Sequence, residues 1–216
     1  LDNESNENLQ KSMPNNNSLS CSPVVKECVN TLYFNQEIGI YLYIFRDVVL
    51  NSHSSNFLLT NENVLIVERV VSAPLEYSNY STGIVKLHNN ECALIKLNKK
   101  IFYMDNILFM GGNGSFNYYH WLIEIAPKLL YLSNEILFKH KVDFIVCDSK
   151  VKEVASFGEI LNILLKLKGI NIPVVYVNND KNIKANTVLY INNFNNIVFN
   201  SKEKLSSVKY SHFHVE

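Results

Sequence analysis

Hydrophobic residues between positions 36 and 110 occur in short runs that polar clusters separate. The runs lie at 40–45, 48–50, 57–59, 64–67, 93–97, 100–104 and 107–110, and polar turns lie at 51–54 and 60–63. Short apolar runs rich in β-branched and aromatic residues and bounded by Asn and Ser are typical of strands and hairpins. We therefore predict a β-rich, mostly antiparallel region over residues 36–110.

The hydrophobic pattern changes after residue 110. Apolar positions recur at intervals of three and four over two stretches, which predicts two helices. The helical stretches lie at 118–132 and 151–167, and strand-like runs lie at 142–147, 173–177 and 187–191. Strands that alternate with helices favour a parallel sheet, so we predict an α/β fold with a Rossmann-like half domain over 111–216. Pro127 lies inside the first helical stretch and is expected to kink or shorten that helix.

Composition and charge limit the classes of function. The 216 residues carry 20 Lys and Arg against 20 Asp and Glu, so there is no excess of positive charge for nucleic-acid phosphates. No apolar stretch approaches the roughly 20 residues that span a bilayer, so no transmembrane segment is predicted. The four cysteines lack the spacing of a zinc site, so no metal is predicted. Residues 1–35 are predicted to form a disordered polar tail, because they bury too little apolar surface to offset the entropy of ordering.

The sharpest candidate for chemistry is a polar stripe on the first predicted helix. His120, Glu124 and Lys128 are spaced four residues apart, so their side chains share one face of an α-helix. A carboxylate beside an imidazole fixes its tautomer and raises its basicity, which makes His120 a candidate general base and Glu124 its orienting partner. The same stripe is also typical of a solvated helix face. Its position directly after a glycine cluster favours a cleft.

Three other features have a structural interpretation beside the functional one. The glycines within 111–114 could present backbone N–H groups to a phosphate, but a tight turn is favoured. Asp148 follows a predicted strand at an edge where acids can act, but capping of the next helix is favoured. His53 lies in a polar turn and is interpreted as a solvent residue.

Residues 117–130 hold an Asn-Tyr-Tyr-His-Trp-Leu segment, followed by an acid, a proline, a lysine and a leucine pair. The residues are Asn117, Tyr118, Tyr119, His120, Trp121, Leu122, Glu124, Pro127, Lys128, Leu129 and Leu130. This order resembles the signature of the family 61 glycosyltransferases, which include plant xylosyl- and arabinosyltransferases and bacterial capsular-polysaccharide enzymes. The likeness extends over about 38–191 but is specific only in the His-Trp run. Lys128 stands where many members have Arg, which keeps the charge but loses a bidentate fork.

The resemblance implies a GT-B-type enzyme that transfers a sugar from a UDP-linked nucleotide sugar to a glycan hydroxyl with inversion. It implies His120 and Glu124 as catalytic residues, with no metal and no cofactor beyond the donor substrate. The implied substrate-binding residues are Asn117, Tyr118, Tyr119, Trp121 and Lys128. No second GT-B domain follows in the sequence, so the chain is expected to be part of such an enzyme. The expected location is the cytoplasm, including the inner face of a bacterial membrane, or the Golgi lumen for a eukaryotic protein.

Two alternatives stay open. A non-catalytic module would bind a glycan acceptor through Tyr118, Tyr119 and Trp121, whose rings suit stacking on sugars but equally suit a core. A purely structural scaffold would place Glu124 away from any cleft.

Overall fold

The computed structural model describes residues 7–8, 18–21, 31–34, 40–67, 78–79, 82–88 and 93–193. Within these ranges the strands are β1 (Glu7–Asn8), β2 (Ser18–Cys21), β3 (Thr31–Phe34), β4 (Tyr41–Leu50), β5 (Asn56–Leu59), β6 (Val64–Val67), β7 (Ser78–Asn79), β8 (Val85–His88), β9 (Ala93–Ile95), β10 (Lys100–Met110), β11 (Phe144–Asp148), β12 (Val174–Val177) and β13 (Lys181–Ile191). The helices are α1 (Tyr118–His120), α2 (Asn134–Lys139), α3 (Lys150–Glu153) and α4 (Ala155–Leu167), with a π-helical turn, Trp121–Ile125, and a 3₁₀-helix, Ala126–Tyr131.

One mixed sheet organises the chain. Seven strands follow in the order β12-β11-β10-β13-β4-β5-β6, and β1 pairs with β4 off this path. The pairs among β12, β11, β10 and β13 are parallel, whereas those that join β13, β4, β5 and β6 are antiparallel. The chain is therefore a mixed α/β protein, as expected. The boundary predicted at residue 110 falls at the end of β10, and strands from both sides of it share this sheet.

Side chains along the central strands alternate between two hydrophobic clusters, as expected for a sheet that is buried on both faces. In β10, Leu108 and Met110 pack in one cluster with Trp121 and other helical residues, whereas Ile107 and Phe109 pack in the other cluster. The period of two along a strand thus divides the apolar residues between a helix-covered face and an opposite face.

Strand residues cover the opposite face. Phe57 of β5 packs between Phe45, Phe109 and Tyr190, with ring centroids 4.9, 5.8 and 4.7 Å away. All the buried residues of that cluster belong to strands. A doubly wound sheet carries helices on both faces, whereas within the described residues the helices pack on one.

Two strands are longer than the hydrophobic pattern predicts. Separate runs were predicted at 100–104 and 107–110, yet β10 is continuous, because Asp105 and Asn106 bond to Asn186 and Asp143 instead of breaking the strand. The strand predicted to begin at 187 begins at residue 181 as β13, whose first half is paired on both sides, with β10 and with β4.

The second predicted helix, 151–167, is divided. Val154 has an extended backbone conformation, with φ −100° and ψ 112°, and separates α3 from α4. Within the predicted tail, 1–35, the structure describes β1, β2 and β3, and β2 pairs antiparallel with β3. The other residues of that tail and residues 194–216 lie outside the described part of the chain.

Candidate functional site

A glycine-rich turn positions His120. The turn follows β10, and Gly112 and Gly114 have φ values of +143° and +79°, which an L side chain rarely adopts. A Cβ atom at Gly114 would lie 2.5 Å from Cδ2 of His120. The missing side chain at position 114 therefore lets the imidazole pack directly against the turn.

The backbone of this turn is used by the protein itself. The N–H of Gly112 donates to the carbonyl of Ser52 at 3.0 Å, and the N–H of Ser115 donates to the carbonyl of Gly112 at 3.1 Å. The N–H of Asn113 lies 3.4 Å from the hydroxyl of Ser55. These donors are not available to a phosphate, so the tight-turn interpretation of the glycine cluster is confirmed.

The helix that carries the predicted stripe is irregular. It begins as α1, continues as the π-helical turn Trp121–Ile125, and becomes a 3₁₀-helix at Ala126, with Pro127 in its first turn. The helix predicted over 118–132 is present as these three short helical segments, and Pro127 cannot continue an α-helical hydrogen-bond ladder. The expected interruption at Pro127 is confirmed. Single π-helical turns occur frequently at functional sites.

His120 and Glu124 form a hydrogen-bonded pair across the π-helical turn. Nδ1 of His120 lies 2.8 Å from Oε2 of Glu124, and the side chains are 28% and 5% exposed. The hydrogen bond with Glu124 raises the pKa of His120 above its ordinary 6.5, although burial acts in the opposite direction. The contact predicted from the spacing is confirmed. Glu124 is buried, as in the scaffold alternative, but it supports an imidazole that reaches the surface.

Three exposed aromatic residues precede His120, and one of them contacts its imidazole. Phe116, Tyr118 and Tyr119 are 45%, 52% and 47% exposed. The ring of Tyr119 meets the His120 ring edge to face, with centroids 5.6 Å apart. Asn117 caps α1, because its Oδ1 accepts from the N–H of Tyr119 at 2.9 Å. Asn117 thus orients the segment that presents these rings to solvent.

Two residues predicted to bind substrate lie in the core. Trp121 is fully buried and stacks on Phe157, with ring centroids 5.7 Å apart and planes 7° apart. Lys128 is also fully buried; its ammonium donates to the hydroxyl of Tyr190 at 3.1 Å and lies 4.2 Å from the centre of that ring. Neither side chain has a surface to offer a substrate, because Trp121 packs on α4 and Lys128 on Tyr190 of β13.

A second polar cluster lies where the parallel strands end. The segment 51–56, which connects β4 to β5 and includes the first residue of β5, is buried throughout despite its polar sequence. It reaches the end of β10 through the hydrogen bond from Gly112, the end of β11 through Asp148, and the turn after β12 through Asn179. Ligands commonly bind at this edge of α/β sheets. Here the chain itself fills part of that edge.

His53 and Asp148 are the central contact of this second cluster. Nε2 of His53 lies 2.7 Å from Oδ2 of Asp148, the same oxygen accepts from the hydroxyl of Ser52 at 2.7 Å, and Asp148 is fully buried. Burial alone would raise the pKa of Asp148, but hydrogen bonds from His53, the Lys150 N–H and Ser52 hold it below its ordinary 3.8.

The interpretation of His53 as a solvent residue is wrong, because the segment 51–56 folds onto the sheet edge. The capping interpretation of Asp148 is confirmed in part, since its Oδ1 accepts from the N–H of Lys150 at 2.9 Å. The pairing with His53 joins positions far apart in sequence. The only nearby sequence feature that hints at this cluster is the run of six polar residues at 51–56, and an ordinary exposed turn has the same kind of sequence.

Comparison with known proteins does not assign the chain to a family. No family model, curated protein or solved structure matches it. In the described ranges, no group of three or more His, Cys, Asp or Glu side chains is placed to hold a metal ion. None of the described helices is long and apolar enough to cross a membrane. The functional assignment therefore depends on the geometry of His120 and its surroundings.

Proposed function

We propose that this protein acts in the transfer of a sugar from a UDP-linked nucleotide sugar to a glycan hydroxyl, with inversion at the anomeric carbon. The observation that carries the proposal is the 2.8 Å pair of His120 and Glu124, whose imidazole contacts the exposed ring of Tyr119. The likeness of 117–130 to the family 61 glycosyltransferases supports it. The proposed fold is that family's Rossmann-like, GT-B type, which the parallel strands β10, β11 and β12 with their intervening helices support.

His120 is the proposed general base. Because its Nδ1–H donates to Glu124, the lone pair of Nε2 is left to accept a proton. As the acceptor oxygen bonds to the anomeric carbon, its proton passes to Nε2 and the bond from that carbon to the departing diphosphate breaks. Base catalysis of this kind typically contributes a factor of about 10²–10⁴. Glu124 holds the tautomer and stabilises the imidazolium that forms.

Tyr118 and Tyr119 are the proposed sugar-binding surface. Their exposed rings offer apolar faces for stacking on a pyranose, and Tyr119 contacts the base directly. Asn117 acts through the backbone by capping α1. Trp121 and Lys128 support the same segment from the core, so their roles in the proposal are structural.

A transfer assay tests the proposed function. We expect the full chain, incubated with a panel of UDP-sugars and neutral glycan acceptors, to yield an acceptor whose mass has increased by one sugar residue, detected by mass spectrometry. Reactions without donor or without protein are the controls. Acceptor binding without transfer would favour the non-catalytic module, which the exposed Tyr118 and Tyr119 also suit. If the chain shows no binding and no transfer with any of the donors and acceptors, the proposal is overturned.

The pH dependence of sugar transfer should follow the protonation of His120. The base must be neutral, so kcat/KM should rise with pH through the pKa of His120, which lies above 6.5. Glu124→Gln removes the charge that raises this pKa, so the acidic limb should move to lower pH while the maximal rate falls. Glu159→Gln changes an exposed glutamate of α4 and should leave the limb in place. An acidic limb that does not move in Glu124→Gln would argue against the pair as the catalytic base.

A further inference from the structure

A cavity of about 160 Å³ lies apart from His120, beside the turn after β12. Its lining residues are Thr82, Gly83, Val85, Lys86, Lys96, Asn98 and Asn179. Drug-sized ligands occupy pockets of roughly 300–1,000 Å³, and a water molecule takes about 30 Å³. The cavity therefore has room for a small polar group or a single sugar-sized molecule, and too little for a nucleotide sugar.

A β-bulge places Lys86 at the wall of the cavity. Val85 pairs with Ile95 and Leu87 pairs with Leu94, so the strand β8 has one extra residue at position 86. In a regular strand, neighbouring side chains point to opposite faces. Val85 and Lys86 nevertheless line the same cavity. Bulges commonly re-aim a side chain in this way next to binding sites.

The cavity is rich in hydrogen-bond donors and has no acidic lining residue. Lys86 and Lys96 are exposed, and neither forms an ion pair within the described part of the chain. Nδ2 of Asn98 donates to the carbonyl of Asn179, and Nδ2 of Asn179 lies 3.2 Å from Nδ1 of His53. Each amide has two N–H donors, so each retains one beyond the contact named. The polar lining thus includes two ammonium groups and two amides with a donor to spare.

The wall behind the cavity is also polar. Gly83 has φ +86°, and a Cβ atom there would overlap the side chain of Ser54, which is fully buried behind it. The hydroxyl of Ser54 has no hydrogen-bond partner among the described residues. Buried polar atoms are rarely left unpaired unless a water or ligand completes them.

We propose that this cavity binds a small oxyanion, the phosphate or carboxylate group of a molecule of about monosaccharide size. Lys86 and Lys96 supply the charge, and Asn98 and Asn179 orient the oxygens through their free N–H groups. Asn179 also joins the cavity to the His53–Asp148 contact, so the site is built on the rigid edge of the sheet. The inference does not depend on sugar transfer, because binding alone is its readout.

Titrations of the full chain test the proposal. Inorganic phosphate, glucose 6-phosphate and glucuronate are the probes, with neutral glucose as the control, and amide NMR shifts at Thr82, Gly83 and Asn98 follow binding. We expect saturable shifts with phosphate and with at least one sugar anion, and none with glucose. The tighter of glucose 6-phosphate and glucuronate identifies the anionic group. The absence of saturable shifts with all three anions would overturn the proposal.

Charge-removing variants distinguish a built site from general attraction. Lys86→Gln and Lys96→Gln should each weaken binding about tenfold, since each removes a charge-assisted hydrogen bond. Both lysines are exposed, so folding should be unchanged. The double variant Lys152→Gln with Lys166→Gln removes two exposed lysines elsewhere and should leave the affinity as it is. An equal loss of affinity in this control would indicate diffuse electrostatic attraction and would overturn the proposed site.

Discussion

Replacing His120 by alanine is expected to lower kcat/KM for sugar transfer by about 10²–10⁴-fold, the usual contribution of a positioned general base. The substitution also leaves the buried carboxylate of Glu124 without this partner, so the free energy of unfolding should fall too, and the rates are compared where both proteins are folded. Acceptor binding should persist, because Tyr118 and Tyr119 remain. The measurement is initial rates of transfer at saturating donor, with thermal unfolding of both proteins beside it.

Chemical rescue makes this prediction specific to the imidazole. Added imidazole should restore part of the activity of His120→Ala, because it can occupy the space that the side chain vacates and accept the acceptor's proton. His120→Gln keeps the volume but has no basic nitrogen, so it should be as inactive as alanine. Full transferase activity in His120→Ala would rule out His120 as the base.

Replacing Asp148 by alanine is expected to destabilise the fold by about 3–5 kcal/mol, because it leaves three donors unsatisfied and each buried unsatisfied donor costs about 1–3 kcal/mol. The carboxylate accepts from His53, Ser52 and the N–H of Lys150, so the substitution leaves three donors without their acceptor. Each of these donors is at or near the buried edge of the sheet. Equilibrium unfolding in urea measures the change, and an unchanged slope against denaturant shows that the unfolding reaction is the same.

Asp105→Ala is the matched control for this measurement. Asp105 is an exposed aspartate of β10 that accepts one hydrogen bond from Asn186, so its loss should have a small effect. A double-mutant cycle with His53→Ala should give a clear coupling energy, because His53 and Asp148 are in direct contact. If the free energy of unfolding of Asp148→Ala equals that of Asp105→Ala, the role given to the buried pair is contradicted.

The effect of Asp148 should also depend on pH. Its pKa in the folded protein lies below the ordinary 3.8, so its contribution to stability is present above that value. As the pH falls through the folded pKa, the carboxyl is protonated and the contribution is lost. The stability difference between the wild type and Asp148→Ala should therefore be constant near neutral pH and narrow below pH 3.8.

Much of the fold was predictable because the signals are local. The period-two alternation of Ile107 to Met110 follows from the geometry of a strand, and the spacing of His120 and Glu124 follows from the rise of a helix. Pro127 ends the α-helical pattern through its own ring and missing N–H. These properties require no knowledge of the rest of the chain.

The roles of Trp121 and Lys128 were not predictable in this way. Their spacing fits an exposed stripe as well as a buried one, and only the packing of Trp121 on α4 and of Lys128 on β13 decides the matter. A lysine is rarely buried, so sequence statistics favour the surface. Here the ammonium of Lys128 contacts the hydroxyl and the ring of Tyr190.

By itself, the sequence determined the α/β class, most of the strands and helices, and the pairing of His120 with Glu124, because each depends on residues a few positions apart. Only the tertiary structure decided that the polar segment 51–56 closes the edge of the parallel strands and that His53 meets Asp148 there. It also decided that Lys86 and Lys96 line one cavity. The reason is physical. These contacts depend on the order of the strands in the sheet and on a bulge in β8, and no pattern of nearby residues encodes the strand order or the bulge.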